Sequence, residues 1–524
     1  MLTLQENSLN WSLNHALNIG DTDVFPAPFE YEAIKHDWET VRAYLANKNV
    51  LEWATRPART LLSPKAKYGF RAITQIDPID FLIYSALIYE IKEDIESRRI
   101  PVTSQVVFSY RVESNEDGQL FTPEIGYRSF LDRCRVKLNE YSNNCVVAST
   151  DISDFYSRIY HHRLENALRA ATSKTSHVNA IMKMLSGWNG TESFGIPVGC
   201  APSRILAEIT LSDVDEALLA NGIDFIRFND DYRIFATNQK QGYQHIAFLA
   251  DTLFRNHGLS LQQQKTTVLD ADAFQEEYLA TPLDREMDSL HDRFQEFIEE
   301  LGLENWYEEI DYDDLTEDQQ EFIDALNLVE LFREEAESEE PDIPVIKFCL
   351  RRLGQLGDNG AVEDIFNNLE SITPAFVEVV KHIGNLRYLN EQERSNLGGR
   401  LLDLLNDSIV SELSYHRMWI IHIFTLSREW DNENRFVNLY NQETDQACKR
   451  KLILAMGRSQ QIHWFQSQWR TLFEHPHWQR RAVLAASSCM PTDARKHWYR
   501  SIDPQLDILE RAIIRWVKAN PYSG

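Results

Sequence analysis

The stretch FIRFNDDYRIFA, residues 225–236, constrains the fold more than any other part of the chain. It places three polar residues between two runs of aromatic and β-branched residues, which favour strands. Asn and Asp favour tight turns. The pattern therefore predicts a β-hairpin with Asn229, Asp230 and Asp231 at its turn. The two carboxylates could serve the turn alone or bind metal ions, and the hairpin by itself does not decide between these readings.

A second acidic motif, STDISDFYSRIY, spans residues 149–160 and follows the apolar run CVVAS. That run predicts a short buried strand that ends at Asp151, and a strand end holds a carboxylate rigidly. A lone aspartate there is most often structural, but an aspartate pair at a neighbouring hairpin turn changes the interpretation. Mg²⁺ prefers oxygen ligands. Two such ions about 4 Å apart stabilise the attacking and leaving oxygens of a phosphoryl transfer.

Between the two acidic motifs lies FGIPVGCAPSRILAEI, residues 194–209. Gly195, Pro197 and Gly199 interrupt regular structure just before a predicted helix. Small residues allow a substrate to approach the backbone, and a helix N-terminus favours negative groups. Taken alone, the segment is a loop-to-helix junction.

The first 290 residues interleave helical and strand-like patterns, which predicts an α+β domain. The run IDPIDFLIYSALIYEIKEDI, residues 76–95, repeats its apolar residues at three- and four-residue steps and predicts a buried helix. Residues 291–342 contain 21 acidic and two basic residues and still show helical spacing. They predict an acidic helical connector, which is either a solvated surface or one that repels nucleic acid or meets a basic partner.

From about residue 343 to 524 the chain predicts helices only. RMWIIHIF, RKLILAMG and RRAVLAAS begin at Arg417, Arg450 and Arg480, which are 33 and 30 residues apart. Helical hairpins repeated at this interval are typical of a HEAT-like α-solenoid. Three imperfect copies are also compatible with an irregular helical bundle.

The 524 residues suffice for two to four domains, with 43% apolar and 25% charged residues. The net charge of −27 does not favour long duplex DNA, so any nucleic-acid contact requires a local basic groove or a covalent tether. No signal peptide is evident, and the apolar run MWIIHIF, residues 418–424, is too short to span a membrane. The six cysteines fit no zinc or disulfide pattern. We expect a cytoplasmic protein with buried thiols and no membrane partner.

The three motifs, in this order, resemble the palm of reverse transcriptases. DISDFY is similar to the motif that carries the first metal aspartate, GIPVGCAPSRILAE to the loop-helix that supports template and incoming nucleotide, and FNDD to the YxDD-type hairpin. HGLSLQQQKTTVL, residues 257–269, resembles the Gly-Leu…Lys-Thr motif, and PKAKYGFRAITQIDPID resembles the fingers segment. The resemblance covers about residues 20–280.

This resemblance implies a polymerase that uses Mg²⁺ or Mn²⁺ and dNTPs. The implied metal ligands are Asp151, Asp230 and Asp231, and Lys265 would assist the departure of pyrophosphate. Arg71, with Lys65 or Lys67, would hold the triphosphate. Tyr156 falls where a bulky ring excludes the ribose 2′-hydroxyl. The remaining implied substrate-binding residues are Phe155, Pro197 and Gly199.

A narrower resemblance is to the Abi (abortive infection) polymerases, of the AbiK-like and prophage-encoded kind. It rests on GDTDVFPAPFEYEAI near the N-terminus, on GIPVG with SRILAE, and on the helical C-terminal domain. Val198 replaces the usual Gln, and the further signature segments of retron enzymes are missing. This family implies anti-phage defence, synthesis of single-stranded DNA without a template, a protein side chain as primer, and a homo-oligomer such as a trimer or hexamer. Tyr31 and Tyr44 are candidate priming residues.

Two sequence features are set aside on context. DYDDL, residues 311–315, spells the YxDD-type motif better than FNDD does, but Asp313 and Asp314 lie in the acidic helical segment. His161 and His162 lack a second ligand cluster for zinc. Two alternatives to the Abi interpretation stay open: an RNA-templated reverse transcriptase, and a catalytically decayed scaffold that acts through its helical repeats. The predicted fold is α+β, with reverse-transcriptase-like fingers and palm over 1–290, the connector over 291–342 and the HEAT-like domain over 343–524.

Overall fold

The computed structural model describes residues 1–66, 68–141, 145–279, 320, 327–406 and 408–522. The chain divides into two compact units, Met1–Thr60 with Ala72–Pro282, and Leu61–Arg71 with Leu283–Gly524. Lys67, the DYDDL segment and most of the predicted acidic connector lie outside the described residues. The first unit mixes helices and strands, and the described part of residues 327–522 is helical, as the sequence predicts.

The first unit contains the following helices: α1 Glu6–Asn18, α2 Glu30–His36, α3 Trp38–Ala46, α4 Pro78–Arg98, α5 Tyr127–Glu140, α6 Phe155–Arg158, α7 His161–Ala171, α8 Thr175–Asn189, α9 Ala201–Thr210, α10 Ser212–Ala220, α11 Gln239–His257 and α12 Ala271–Phe274. A π-helical turn, Gln275–Leu279, follows α12. The strands of the chain are β1 Arg59–Ala66, β2 Gly69–Gln75, β3 Val146–Asp151, β4 Asp224–Phe228, β5 Asp231–Ala236 and β6 Thr267–Asp270.

Four of these strands form one antiparallel sheet in the order β4-β5-β3-β6. Every residue of β3 is buried, because the strand is central and both of its faces are covered. The predicted hairpin is confirmed as β4 and β5, which pair antiparallel from Phe228↔Asp231 to Asp224↔Phe235. The turn itself consists of Asn229 and Asp230, whereas Asp231, predicted at the turn, is the first residue of β5. Apolar side chains of β3, β4 and β5 form a core with Phe130, Cys134 and Phe274.

Helix α4 is the buried helix that the sequence predicts near residues 76–95. Asp77 caps its start by accepting a hydrogen bond from the Ile79 N–H at 3.1 Å, and Pro78 occupies the first helical position, where a missing N–H has no cost. The helix is buried almost all round, which explains why its apolar residues do not form a single stripe. It packs against α1, α7, α8 and α9.

Strands β1 and β2 form a separate two-stranded hairpin. The base of this hairpin belongs to the first unit, and its tip, Leu61–Arg71, belongs to the second. At the tip, Ser63 is buried and forms a hydrogen bond with Tyr415 of the same unit. The hairpin therefore contributes residues to both units.

The second unit contains helices α13 Leu328–Ala336, α14 Ile343–Leu356, α15 Val362–Asn367, α16 Phe376–Gly384, α17 Glu391–Asp403, α18 Ser414–Leu426, α19 Glu433–Gln442, α20 Gln446–Arg458, α21 Ile462–Ser467, α22 His477–Ala486, α23 Thr492–Ile502 and α24 Ile508–Ala519. Alternate helices form a row in which each packs against the next, and the members of the row are α14, α16, α18, α20, α22 and α24. The three sequence copies that begin at Arg417, Arg450 and Arg480 lie in α18, α20 and α22, which are consecutive members of this row.

The predicted burial of the cysteine thiols is confirmed for five of the six, while Cys489 is half-buried. Within the described residues, no helix has the length and apolar character needed to cross a membrane.

The close approach of α20 and α22 at Gly457 generates a stability prediction. A β-carbon at Gly457 would lie 2.5 Å from the Ala486 β-carbon and 2.9 Å from its α-carbon, so Gly457→Val must push two helices apart. We expect a loss of about 2–3 kcal/mol in the free energy of unfolding, measured by denaturant titration. Gly399→Ala is the control. Its β-carbon would meet only Asn432 Oδ1 at 3.5 Å, so it should be neutral or stabilise the helix by up to about 1 kcal/mol.

Candidate active site

The strand register brings the two acidic motifs together. In the antiparallel pairing of β3 with β5, Asp151 lies directly opposite Asp231. The Ile152 N–H donates to the Asp230 carbonyl at 3.1 Å, which continues the contact beyond the strand end. The three aspartates predicted as metal ligands therefore lie at one end of the central strands.

Asp230 and Asp151 interact directly. Burial, followed by the adjacent charge of Asp151, raises the pKa of Asp230 from 3.8 to about 7. The Asn229 side-chain amide donates to Asp230 Oδ1 at 2.7 Å. Two carboxylates this close repel each other unless a proton or a cation lies between them.

Asp231 has a different environment, because it forms an ion pair with Arg233 two residues along β5. The Arg233 Nη2 atom lies 3.1 Å from Asp231 Oδ2, and its other terminal nitrogen donates to Oδ1. The guanidinium also lies 4.8 Å from the ring centre of Tyr278 and 5.5 Å from that of Phe130. Burial raises the pKa of Asp231, and the charge of Arg233 opposes this rise.

Lys265 reaches the same site from the loop before β6. Its Nζ atom lies 2.7 Å from Asp151 Oδ2, and the lysine side chain is 54% exposed while that of Asp151 is 12% exposed. The loop is tied to β3, because the Gln262 N–H donates to the Asp151 carbonyl at 2.7 Å. The structure thus brings Lys265 together with the aspartates, as the order of motifs suggests.

The donor set fits a divalent cation. Asp151 and Asp230 offer carboxylate oxygens, the ligands that Mg²⁺ and Mn²⁺ prefer, and a cation between them would remove their mutual repulsion. The residues His477, Asp507 and Glu510 of the second unit also approach one another closely enough to bind a metal. There, however, Arg480 Nε lies 2.5 Å from Glu510 Oε1 and its Nη2 lies 2.7 Å from His477 Nδ1. A guanidinium already supplies the positive charge at that cluster.

Tyr156 lies beside the hairpin turn. Its hydroxyl donates to Asn229 Oδ1 at 3.3 Å, and its carbonyl accepts the Ile196 N–H at 3.0 Å. Burial raises the pKa of Tyr156 well above that of a free phenol. The neighbouring Phe155 is only 2% exposed and packs inward. Tyr156 is therefore the residue of this pair that can border a substrate.

The loop before α9 borders a cavity of about 350 Å³ in the first unit. Gly195 and Pro197 line it, together with Thr74 of the hairpin base. His161 fixes this loop, with Nε2 2.8 Å from the Gly195 carbonyl oxygen. That histidine is a hydrogen-bonding residue, as expected in the absence of a zinc cluster.

Gly199 marks a close approach between this loop and the N-terminal segment, residues 20–24. Its φ of +105° favours glycine, and a β-carbon would lie 2.7 Å from Thr22 Oγ1. The Gly199 carbonyl accepts the Asp23 N–H at 3.3 Å. Gly199 therefore packs against the N-terminal segment, residues 20–24.

A buried charge network that the sequence motifs do not reveal supports the catalytic turn. Arg227 on β4 is 1% exposed and donates to both carboxylate oxygens of Asp215, at 2.9 and 2.5 Å. Its Nη1 donates to the Asn229 carbonyl at 2.7 Å, directly before Asp230. A charged residue within the apolar run DFIRF is the sequence signal that could have identified it.

Glu208 on α9 extends this network and is fully buried. It accepts hydrogen bonds from Arg99 Nη2 at 2.6 Å and from the Ser109 hydroxyl at 2.5 Å. The Ser109 Oγ in turn accepts the Asn229 N–H at 2.8 Å. Both the N–H and the C=O of Asn229, which has a φ of +56°, are thus held by this network.

The other predicted residues lie on the hairpin tip and in helices α2 and α3. Lys65 and Arg71 are exposed on the hairpin tip that belongs to the second unit. Tyr31 is 3% exposed, with a pKa raised well above 10 by burial. Tyr44 on α3 is half-buried, and Lys48 Nζ lies 4.3 Å from its ring centre.

The geometry agrees with a comparison to known families. Residues 90–311 match the model of the reverse transcriptase (RNA-dependent DNA polymerase) family. This part of the chain is similar to reverse-transcriptase domains. It contains Asp151, Asp230 and Lys265, so the chain is a polymerase-like nucleotidyltransferase, a nucleic-acid polymerase by class.

Solved structures similar to this chain include three yeast telomerases. The C-terminally truncated apo telomerase of Candida tropicalis is 13% identical with a TM-score of 0.32, covering 42% of this chain and 51% of its own. Telomerase of Candida albicans in complex with a TWJ fragment of telomeric RNA is 12% identical, with a TM-score of 0.32. The match covers 83% of this chain and 68% of the telomerase chain. Apo telomerase of Candida tropicalis is 10% identical, with a TM-score of 0.34. The match covers 93% of this chain and 73% of the telomerase chain. A search of the curated proteins finds no match to this chain.

The raised pKa of Asp230 generates a pH-dependent prediction for the metal-free protein. Between about pH 4 and 7 the folded state binds a proton that the unfolded chain releases, so stability should fall as the pH rises through this window. Asp230→Asn should weaken this dependence and stabilise the protein at pH 8 by about 1–3 kcal/mol. Part of the dependence should remain, because burial also raises the pKa of Asp21 to about 7 and that of Asp80 to about 6. Thermal melts at pH 5 to 8, with and without Mg²⁺, measure it. Asp251→Asn, an exposed carboxylate paired with Arg255, should leave the pH profile unchanged.

The buried network generates a second prediction. Arg227→Met leaves the buried carboxylate of Asp215 without a cation and Glu208 with Arg99 as its one remaining cation, which should cost about 3–5 kcal/mol of stability. Arg255→Gln breaks an exposed pair with Asp251 and should change stability by less than about 1 kcal/mol. Urea titration of both variants tests the difference, and equal stability would contradict the role given to Arg227.

Proposed function

We propose that this chain is a DNA polymerase that transfers deoxynucleotides by a two-metal mechanism with Mg²⁺ or Mn²⁺. The observation that carries the proposal is the convergence of Asp151, Asp230 and Lys265 at one end of the central strands, with Asp231 opposite Asp151 in the register. Bound divalent ions would activate the attacking hydroxyl and neutralise the triphosphate.

The side chains of the chain divide the remaining work. Asp151, Asp230 and Asp231 would hold the metal ions, and the pair of Asp231 with Arg233 fixes the position of that carboxylate. Lys265 lies beside Asp151 with half of its side chain exposed, so it can neutralise the departing pyrophosphate. Tyr156, fixed by Asn229, borders the sugar and favours a deoxyribose.

We further propose that synthesis is protein-primed and template-independent, that the single-stranded product stays covalently attached, and that the role is anti-phage defence of the abortive infection type. The Abi-like motifs near the N-terminus and in α9 support this assignment. A covalent tether supplies a high effective concentration of the primer end, so an acidic chain needs no basic cleft for a primer duplex. Of the two candidate primers, Tyr44 is favoured over Tyr31, because Tyr31 is almost completely buried.

The same assignment implies a cytoplasmic homo-oligomer, a trimer or hexamer, in which the second unit is a HEAT-like repeat domain. The row of alternating helices from α14 to α24 supports the repeat interpretation, since each member packs against the next.

An RNA-templated reverse transcriptase is the second candidate function. The matched family is described as an RNA-dependent DNA polymerase, which favours it. A decayed scaffold is disfavoured, because the carboxylates and Lys265 keep mutual contacts that a scaffold does not require.

The central test uses the purified protein with dNTPs and Mg²⁺ or Mn²⁺. Wild-type protein should become DNA-linked, detected by a mobility shift that nuclease removes. Asp230→Asn should reduce the rate by at least about 10³-fold, because the site loses a metal ligand. Asp251→Asn is the matched control and should behave as wild type. Undiminished synthesis by Asp230→Asn would reject the proposed mechanism.

A second experiment separates the two candidate functions. RNase treatment of the purified protein should leave synthesis unchanged if no template is used, whereas its loss would support the RNA-templated alternative. Mass spectrometry of the protein as purified from cells then identifies the attached DNA and the modified side chain. We expect a tyrosine of the N-terminal region to carry it.

A further inference from the structure

Arg204 lies on α9, four residues before Glu208 of the buried network, and has no role in the mechanism above. Its Nη2 atom lies 2.7 Å from Asp23 Oδ2, and its guanidinium carbon lies 5.1 Å from the ring centre of Tyr110. The arginine side chain is 28% exposed and that of Asp23 is 59% exposed. The cation is thus held by an aromatic face and a rim carboxylate while part of it stays open to solvent.

The backbone at Tyr110 is strained, which points to a functional position. Its φ is +48°, a conformation that bulky residues rarely adopt. Arg99 maintains it by donating to the Tyr110 carbonyl at 2.8 Å and to the Ser109 carbonyl at 2.7 Å. The buried pair of Arg99 with Glu208 therefore stabilises a conformation that directs the Tyr110 ring toward Arg204.

The same elements connect Arg204 to the reaction centre. Arg204 and Glu208 lie four residues apart on α9 and share one helix face. Glu208 binds the Ser109 hydroxyl, which accepts the Asn229 N–H next to Asp230. Tyr110, Arg204 and Asp230 are also among the groups whose charges act on the Tyr156 hydroxyl. Arg204 therefore belongs to the surroundings of Asp230 and Tyr156.

We propose that Arg204 binds a substrate phosphate in the active site, with Tyr110 positioning its guanidinium and Asp23 occupying it when no substrate is bound. A planar guanidinium binds phosphate oxygens with two parallel hydrogen bonds. The phosphate belongs either to the incoming nucleotide or to the last phosphodiester of the growing strand. This inference rests on the proposed polymerase function and assigns a role to the Asp-Thr-Asp motif at residues 21–23.

The alternative is that Asp23 and Arg204 form a structural link only. The two roles predict different changes in substrate affinity for Asp23→Asn. If the pair is structural, Asp23→Asn and Arg204→Gln should both weaken substrate binding or leave it unchanged. If Asp23 competes with phosphate, Asp23→Asn should strengthen binding, by about two- to fivefold, because an exposed ion pair contributes little stability.

The experiment measures equilibrium binding of two probes to the full chain with Mg²⁺: a non-hydrolysable dNTP and a single-stranded oligodeoxynucleotide. Arg204→Gln should weaken one of them by about 10- to 100-fold, and the affected probe identifies the source of the phosphate. Arg204→Lys should lose less, because it keeps the charge. For the oligonucleotide, the slope of log affinity against log salt should fall by about one. Arg255→Gln is the control, since it removes an exposed arginine from α11 of the same unit.

The role of Tyr110 is tested by two variants, both of which must adopt the same positive φ at this position. Tyr110→Phe keeps the aromatic face and should retain binding, whereas Tyr110→Leu removes it and should raise the apparent Kd of the probe that depends on Arg204. Melting temperatures monitor folding of every variant.

Normal affinity of Arg204→Gln for both probes, in a folded protein that still incorporates dNTPs, overturns the inference and leaves the polymerase function standing. A wild-type protein that incorporates no dNTP and binds neither probe overturns both. Weakened or unchanged binding by Asp23→Asn would assign the pair a structural role and likewise overturn the competition model.

Discussion

The pairing of β3 with β5 is the constraint on which the site depends. Side chains alternate along a strand, so a shift of one residue would turn Asp151 away from Asp231 and bury a charge in the core. The burial of every residue of β3 makes that shift costly, since Val146 to Ala148 would exchange their buried neighbours. Ordinary hydrophobic packing thereby positions carboxylates that repel one another.

That repulsion is balanced in two different ways. Asp231 has Arg233, a permanent cation supported by two aromatic rings. Asp230 faces Asp151, and the repulsion between them is relieved when Asp230 takes up a proton or when a metal ion lies between the two carboxylates. The site is therefore electrostatically incomplete as a protein alone, which is typical of sites that bind divalent ions. The turn does not relax, because Arg227, Glu208 and Ser109 hold both backbone groups of Asn229.

Local pattern was sufficient for the hairpin and for helix α4, because each depends on strand or helix periodicity. The placement of Lys265 beside Asp151 and Asp230 was expected from the resemblance to reverse transcriptases. The network of Arg99, Glu208, Asp215 and Arg227 could not be predicted in the same way. Its members come from four separate segments, and a buried ion pair has no periodic signature in one sequence. The strained φ of Tyr110 was equally hidden, since tyrosine is not a residue that signals a left-handed conformation. The division of the β1–β2 hairpin between two units also depends on contacts distant in sequence.

Helix α9 both supports the metal-binding turn and carries Arg204, the residue proposed to bind a substrate phosphate. Glu208, at the buried end of the shared face, stabilises the turn that carries Asp230, whereas Arg204, four residues earlier, reaches the solvent-exposed rim. A substrate phosphate that displaces Asp23 would act on the same helix that supports the metal-binding turn. Substrate binding and the geometry of Asp230 are then coupled through a rigid element of about three turns, without any movement of the sheet. In such an arrangement the N-terminal segment acts as the competitor that keeps the phosphate subsite neutral until a nucleotide or strand end arrives.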